Sequence, residues 1–133
     1  MKYFNWISNI SAIIMGAISY LLGGWDILVI SLLLMMLLDY LSGIVKGLYK
    51  KELSSKIGFK GILKKFLILL IVSVSVICEK IGIPAIREVT ITFFLVNEGL
   101  SVLENAAQTG LKIPESVKEV LLQLRDTNGK DDK

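Results

Sequence analysis

Residues Lys46–Lys65 carry seven lysines and one acid, Glu52, and they separate two strongly apolar runs, Ile27–Leu38 and Phe66–Cys78. No other feature restricts the fold as much. Lysines beside spanning helices stay on the side of the membrane where they are made, so such a cluster marks a short cytoplasmic segment and orients its neighbours. The next polar segment, Glu79–Glu88, has two acids and two bases. It is neutral where Lys46–Lys65 is +6 (seven lysines less one acid), and that contrast places it outside. The competing architecture is a soluble bundle with unusually apolar helices; the length of the apolar runs argues against it.

Counted outward from the lysines, the chain is all-α and polytopic. The spans expected are about 7–22, 27–45, 62–78 and 87–108, making a transmembrane domain of residues 1–112. In the first span Ser8, Ala12, Gly16, Ser19 and Gly23 fall within about 80° of arc, a small-residue face that lets helix backbones approach closely in lipid. Chance is the alternative, since such residues are common in membrane helices. No cleavable signal peptide is evident. Gly23-Gly24-Trp25-Asp26 reads as a turn, with Trp25 at the interface and Asp26 as N-cap of the second span. That span contains one charge, Asp39. A carboxylate in a bilayer is turned toward a bundle interior or water, so Asp39 is either an assembly or pore-facing group, paired with a lysine, or a side chain reaching the cytoplasmic interface. Within Lys46–Lys65, Ser54-Ser55 has helix-start chemistry, and a short turn or interfacial helix is expected. Lys50, Lys51, Lys56, Lys60, Lys64 and Lys65 are candidates for lipid-headgroup contact, the last two snorkelling at the start of the third span. Gly82-Ile83-Pro84 is the outer turn.

The fourth segment is the most informative. Arg87, Thr90, Asn97, Glu98, Ser101, Glu104, Asn105 and Gln108 share an arc of about 120°, with Phe94 the one apolar intruder. A membrane-length helix cannot show that stripe to lipid. Three arrangements satisfy it: a water-filled lumen shared by several copies, burial against other helices, or a surface-lying helix. Asp39, Asn97, Glu98, Ser101, Glu104 and Asn105 are therefore the pore-lining or assembly candidates; Ser8, Ala12, Gly16 and Ser19 are the helix-packing candidates. After Pro114, residues 113–133 are expected to form a cytoplasmic amphipathic helix, with Val117, Val120, Leu121 and Leu124 on one face, and a frayed charged tail.

Several chemistries are excluded. There is no histidine and one cysteine, Cys78, so neither an internal disulfide nor a zinc site is expected. The chain has no nucleophile elbow, phosphate-binding loop or dinucleotide fingerprint. Glu98 and Glu104 lie ~9 Å apart along a helix, but with no positioned electrophile they read as structural carboxylates. No enzyme activity, cofactor or metal is expected. The lysines are not interleaved with aromatics, so nucleic acid is not an expected partner and membrane lipid is.

The order of features resembles the toxin-secretion/phage-lysis holins of low-GC Gram-positive bacteria and their phages. The resemblance rests on Gly23-Gly24-Trp25-Asp26, Asp39-Tyr40-Leu41-Ser42-Gly43, Leu53-Ser54-Ser55-Lys56-Ile57-Gly58-Phe59-Lys60-Gly61, Asn97-Glu98-Gly99-Leu100-Ser101, Glu104-Asn105-Ala106 and Gly110-Leu111-Lys112-Ile113-Pro114-Glu115. It implies a protein without enzyme activity that forms homo-oligomers in the bacterial cytoplasmic membrane and opens it for an endolysin or toxin. Such holins are often drawn with three spans, so three to four are expected here. A small ion channel or transporter component, or an antiholin-type inhibitor, are the alternatives the residues leave open.

Overall fold

In the computed structural model residues 2–127 are described, with side chains from Asn5 to Leu124; the charged tail beyond Thr127 lies outside the described residues. Five helices follow one another: α1 (Lys2–Leu22), α2 (Ile27–Tyr49), α3 (Ser55–Lys80), α4 (Ile86–Ala107) and α5 (Glu115–Thr127), and the described residues contain no strand. Three of them, α1 from Asn5, α2 and α3, are long and apolar enough to cross a membrane. At ~1.5 Å per residue α4 reaches about 33 Å, but Arg87, Glu88, Glu98 and Glu104 on its 22 residues keep it out of that group.

Local chemistry sets the boundaries. The Asp26 carboxylate accepts from the Val29 amide at 3.0 Å, satisfying one of the orphan donors at the start of α2. Gly23 and Gly24 have φ of +77° and +108°, conformations that suit glycine and let the chain reverse in four residues. The lysine-rich stretch is mostly helical, a correction to the expected loop. α2 runs on to Tyr49 and α3 begins at Ser55, not near Ile62, so only residues 50–54 connect them. Lys46 belongs to α2, and Lys56, Lys60 and Lys64 sit on α3 at four-residue spacing, which puts them on one face.

The side-chain contacts fix the directions. Asp26 meets Arg87 at one end of α2 and Lys50 meets Gln108 at the other, so α2 and α4 run in the same sense. Lys65 meets Glu98 and Glu79 meets Arg87, so α3 runs against α4. The chain thus alternates, with one end carrying Leu22, Asp26, Lys80 and Arg87 and the other carrying the lysines. α4 packs between α2 and α3, α5 folds back on α4 with Leu121 against Gly99, and α1 leans on α3. Val29, Leu32 and Met36 of α2, Ile68 and Val72 of α3, Ile91 of α4 and Leu22 form the buried apolar core. Beyond it the outward faces are apolar too: Leu34, Leu37 and Leu41 of α2 and Leu67, Leu70, Val74 and Ile77 of α3 are all exposed. Such a continuous apolar surface is what a membrane-embedded bundle presents to acyl chains.

Candidate functional site: the polar stripe of α4

The stripe of α4 is divided. Its first polar residue, Arg87, belongs to the core end of the bundle. Phe94 packs into the core. From Asn97 onward the stripe turns polar again, toward the lysine-rich end.

Glu98 is 1% exposed although it is ionisable and lies in the middle of α4. Lys65 of α3 explains how it is accommodated. The Lys65 ammonium donates to a Glu98 carboxylate oxygen and, at 2.6 Å, to Oδ2 of Asp39 on α2. Asn105, two turns along α4, donates to Asp39 Oδ1 at 3.2 Å and to the Ser42 hydroxyl at 3.0 Å; that hydroxyl donates to the Asp39 carbonyl. One cation thus joins two carboxylates from different helices, and an amide completes the coordination of one of them. The three charges sum to −1 (one lysine, two acids). The exposed Lys64, 4.0 Å from Glu98, is the nearest compensation. Such a cluster persists in a low-dielectric interior only when nearly every lone pair is used.

Of the other stripe candidates, Ser101 and Asn97 are half-buried and Glu104 is exposed. Ser101, Glu104, Asn105 and Gln108 face an open cleft at the lysine-rich end. Lys65 corrects the expectation of headgroup contact: its side chain is 13% exposed and ion-paired inside the bundle. The sequence carries the signal for this. Lys65 shares a face with Ile68, Val72, Ser75 and Val76, the buried face of α3, and stands about 100° from Lys64. Lys50, Lys51, Lys56, Lys60 and Lys64 are exposed. Ser8, Ala12 and Gly16 are exposed as well, and a Cβ added at Gly16 would meet nothing within 4 Å. The first three small residues of that face are therefore uncovered inside the single chain, while Ser19 is half-buried and Gly23 packs against Arg87 and Val76.

At the opposite end Arg87 ties three segments together. Its Nη1 donates to Asp26 Oδ2 at 2.7 Å, its Nε to the Leu22 carbonyl at 2.8 Å, and its backbone N–H to the Glu79 carboxylate at 3.2 Å. The hydrogen bond from Arg87, with help from the Val29 amide and against the effect of burial, holds the Asp26 carboxyl below the usual carboxylate range. Gly23 makes room for this guanidinium, since a Cβ there would lie 2.6 Å from Arg87 Nε.

This arrangement of buried charge inside long apolar helices is found in a chain whose residues 16–126 match the profile of the bacteriophage holin family. The chain belongs to that family. A probable holin of Bacillus phage phi105 is 32% identical over 101 residues, covering 73% of each chain. A 14.9 kDa protein from the nagH 3' region of Clostridium perfringens is 43% identical over 111 residues, 81% of this chain and 84% of its own. A Listeria monocytogenes protein is 41% identical over 120 residues, 88% of this chain and 86% of its own. No solved structure matches. The protein is thus a holin-type membrane protein, and its family is not a family of enzymes.

Proposed function

We propose that the chain is a holin that accumulates in the bacterial cytoplasmic membrane, oligomerises, and permeabilises it for release of an endolysin or toxin. The observation that carries this reading is the burial of Glu98 against Lys65 and Asp39 within one chain. A lone carboxylate at this depth costs several kcal/mol by lenient scales, so a chain that supplies its own counter-ion inserts with its stripe closed and the membrane sealed. Assembly gives the stripe another place. As copies accumulate, α4 helices exchange contacts with α2 and α3 for contacts around a shared aqueous lumen, and Asn97, Glu98, Ser101, Glu104 and Asn105 face it. α1, whose small residues Ser8, Ala12 and Gly16 are uncovered in the single chain, supplies a contact between copies. In this reading the lysine-rich end and both termini are cytoplasmic.

The test is inducible expression with a potential-sensitive dye. The wild-type chain collapses the membrane potential abruptly after a delay, and Glu98→Leu still inserts but delays or abolishes the collapse. A Glu98→Leu chain that permeabilises on the wild-type schedule removes α4 from the lumen. Orientation is read separately: a cysteine at Lys51, in a Cys78→Ser background, stays unreactive to an impermeant thiol reagent in intact cells before lysis.

A further inference from the structure

Where α3 leaves α2 and α4 at the lysine-rich end, the helices enclose an open cleft of about 450 Å³. Glycines on both facing helices, Gly43 and Gly47 of α2 and Gly58 and Gly61 of α3, line it. The Tyr40 ring reaches across from α2 toward the last two, with its hydroxyl 3.4 Å from where a Gly58 Cβ would stand. Ser101, Asn105 and Gln108 of α4 make a polar inner wall, and the outer rim is apolar, with Leu53 and Ile57 both exposed.

The charges in this cleft are unevenly engaged. Lys65 at its floor is taken by Asp39 and Glu98. Lys50 donates only to the neutral carbonyl of Gln108, at 2.9 Å. Lys64 stands 4.0 Å from Glu98, and the Lys46 ammonium has no hydrogen bond or ion pair among the described residues. Glu52 and Glu104 also line the cleft and form no ion pair among the described residues. Opposite charges therefore face one space without closing on each other. The lining sums to +1 (four lysines less Asp39, Glu52 and Glu104), Glu98 behind Lys65 brings the cluster to balance, and exposed Lys51, Lys56 and Lys60 make its surroundings positive.

We infer that this cleft binds the phosphodiester headgroup of an anionic phospholipid. Lys46, Lys50 and Lys64 take the phosphate, Glu52 and Glu104 accept from headgroup hydroxyls, and the acyl chains leave over Leu53 and Ile57. Basic pockets between spanning helices on the cytoplasmic side have the chemistry for such headgroups, and the division into polar wall and apolar rim fits a lipid better than a free anion. The inference rests on the reading that the lysine-rich end meets the cytoplasmic leaflet, but its test does not depend on lysis.

The purified full-length chain is placed in phosphatidylcholine nanodiscs and titrated with fluorescent phosphatidylglycerol. Saturable binding of one lipid per chain is expected. K46A/K50A weakens it on the order of tenfold, whereas K112A/K118A, which removes the same charge outside the cleft, changes it less than twofold. Gly43→Leu, which fills the cleft and alters no charge, also weakens binding; circular dichroism confirms that each variant keeps its helices. Millimolar inorganic phosphate does not displace the lipid. Equal losses in the two double variants overturn the site in favour of diffuse surface attraction. Displacement by phosphate reassigns it to a free anion, and equal retention of phosphatidylcholine removes it. Potential collapse, measured separately in cells, reports on the holin reading alone.

Discussion

The two ends of α4 hold charge in different ways. Arg87 sits at a helix start, and its partner Asp26 is 43% exposed. Every group it binds is a helix terminus or belongs to the turns between helices: the Leu22 carbonyl, the Asp26 cap and, through its backbone, Glu79. Glu98 is in mid-helix, and its counter-ion Lys65 is in mid-helix on α3. The first arrangement joins helix ends that would otherwise expose unsatisfied backbone groups. The second is a net negative cluster inside the bundle, stable only while three helices stay together. Charge at a helix terminus is a fastening; charge at mid-helix makes the packing conditional.

Removing the inner cation should have the largest effect. Lys65→Leu leaves Asp39 and Glu98 facing each other without a cation, and breaking a buried pair from one side costs about 3–5 kcal/mol. Thermal unfolding in detergent should show that loss, and expression should bring earlier potential collapse. Adding Asp39→Asn and Glu98→Gln should recover most of the stability; no recovery would mean that Lys65 matters as packing. At the other end Gly23→Ala forces a side chain into positive φ and against Arg87, at about 1–3 kcal/mol. Arg87→Ala should cost about 1–2 kcal/mol, less than Lys65→Leu because Asp26 keeps water and its Val29 bond.

The two ends also separate by pH. The Asp26 carboxyl lies below its ordinary range in the folded chain, so its contribution is complete above the unfolded value near 3.8 and is lost as pH falls through the lowered folded value. Acid unfolding of the wild type should show this loss, and Arg87→Ala should flatten it. Smallest for the fold is Gly16→Leu, on the bare face of α1: unfolding should shift by less than about 0.5 kcal/mol, while cross-linked ladders of copies shorten. Normal ladders would return that face to chance.

Much of this was legible in the residues. Apolar run length and the lysine cluster located the helices, and Asp26 announced the start of α2 by its capping chemistry. The polar arc of α4 was readable from spacing alone, as was its need for shelter. Spacing could not choose the shelter, because a helical wheel shows which face is polar and not which neighbour covers it. The start of α3 was displaced for a related reason: lysines have good helix propensity, so a basic stretch continues a helix as readily as it ends one. Lys65 resembles its neighbours in charge, but its register with Ile68 and Val72 turns it inward.

The five residues between α2 and α3 bear on how the chain enters the bilayer during synthesis. So short a connection makes α2 and α3 a hairpin that can insert as one piece. Asp39 and Lys65, 26 residues apart, meet within that hairpin, and each hides the other's charge from the acyl chains before α4 has left the ribosome. Glu98 arrives 33 residues after Lys65, to a cation already shared. α4, the last of the long helices to be made, therefore brings the surplus charge, so order of synthesis, as well as final geometry, leaves its carboxylate the least compensated charge in the bundle.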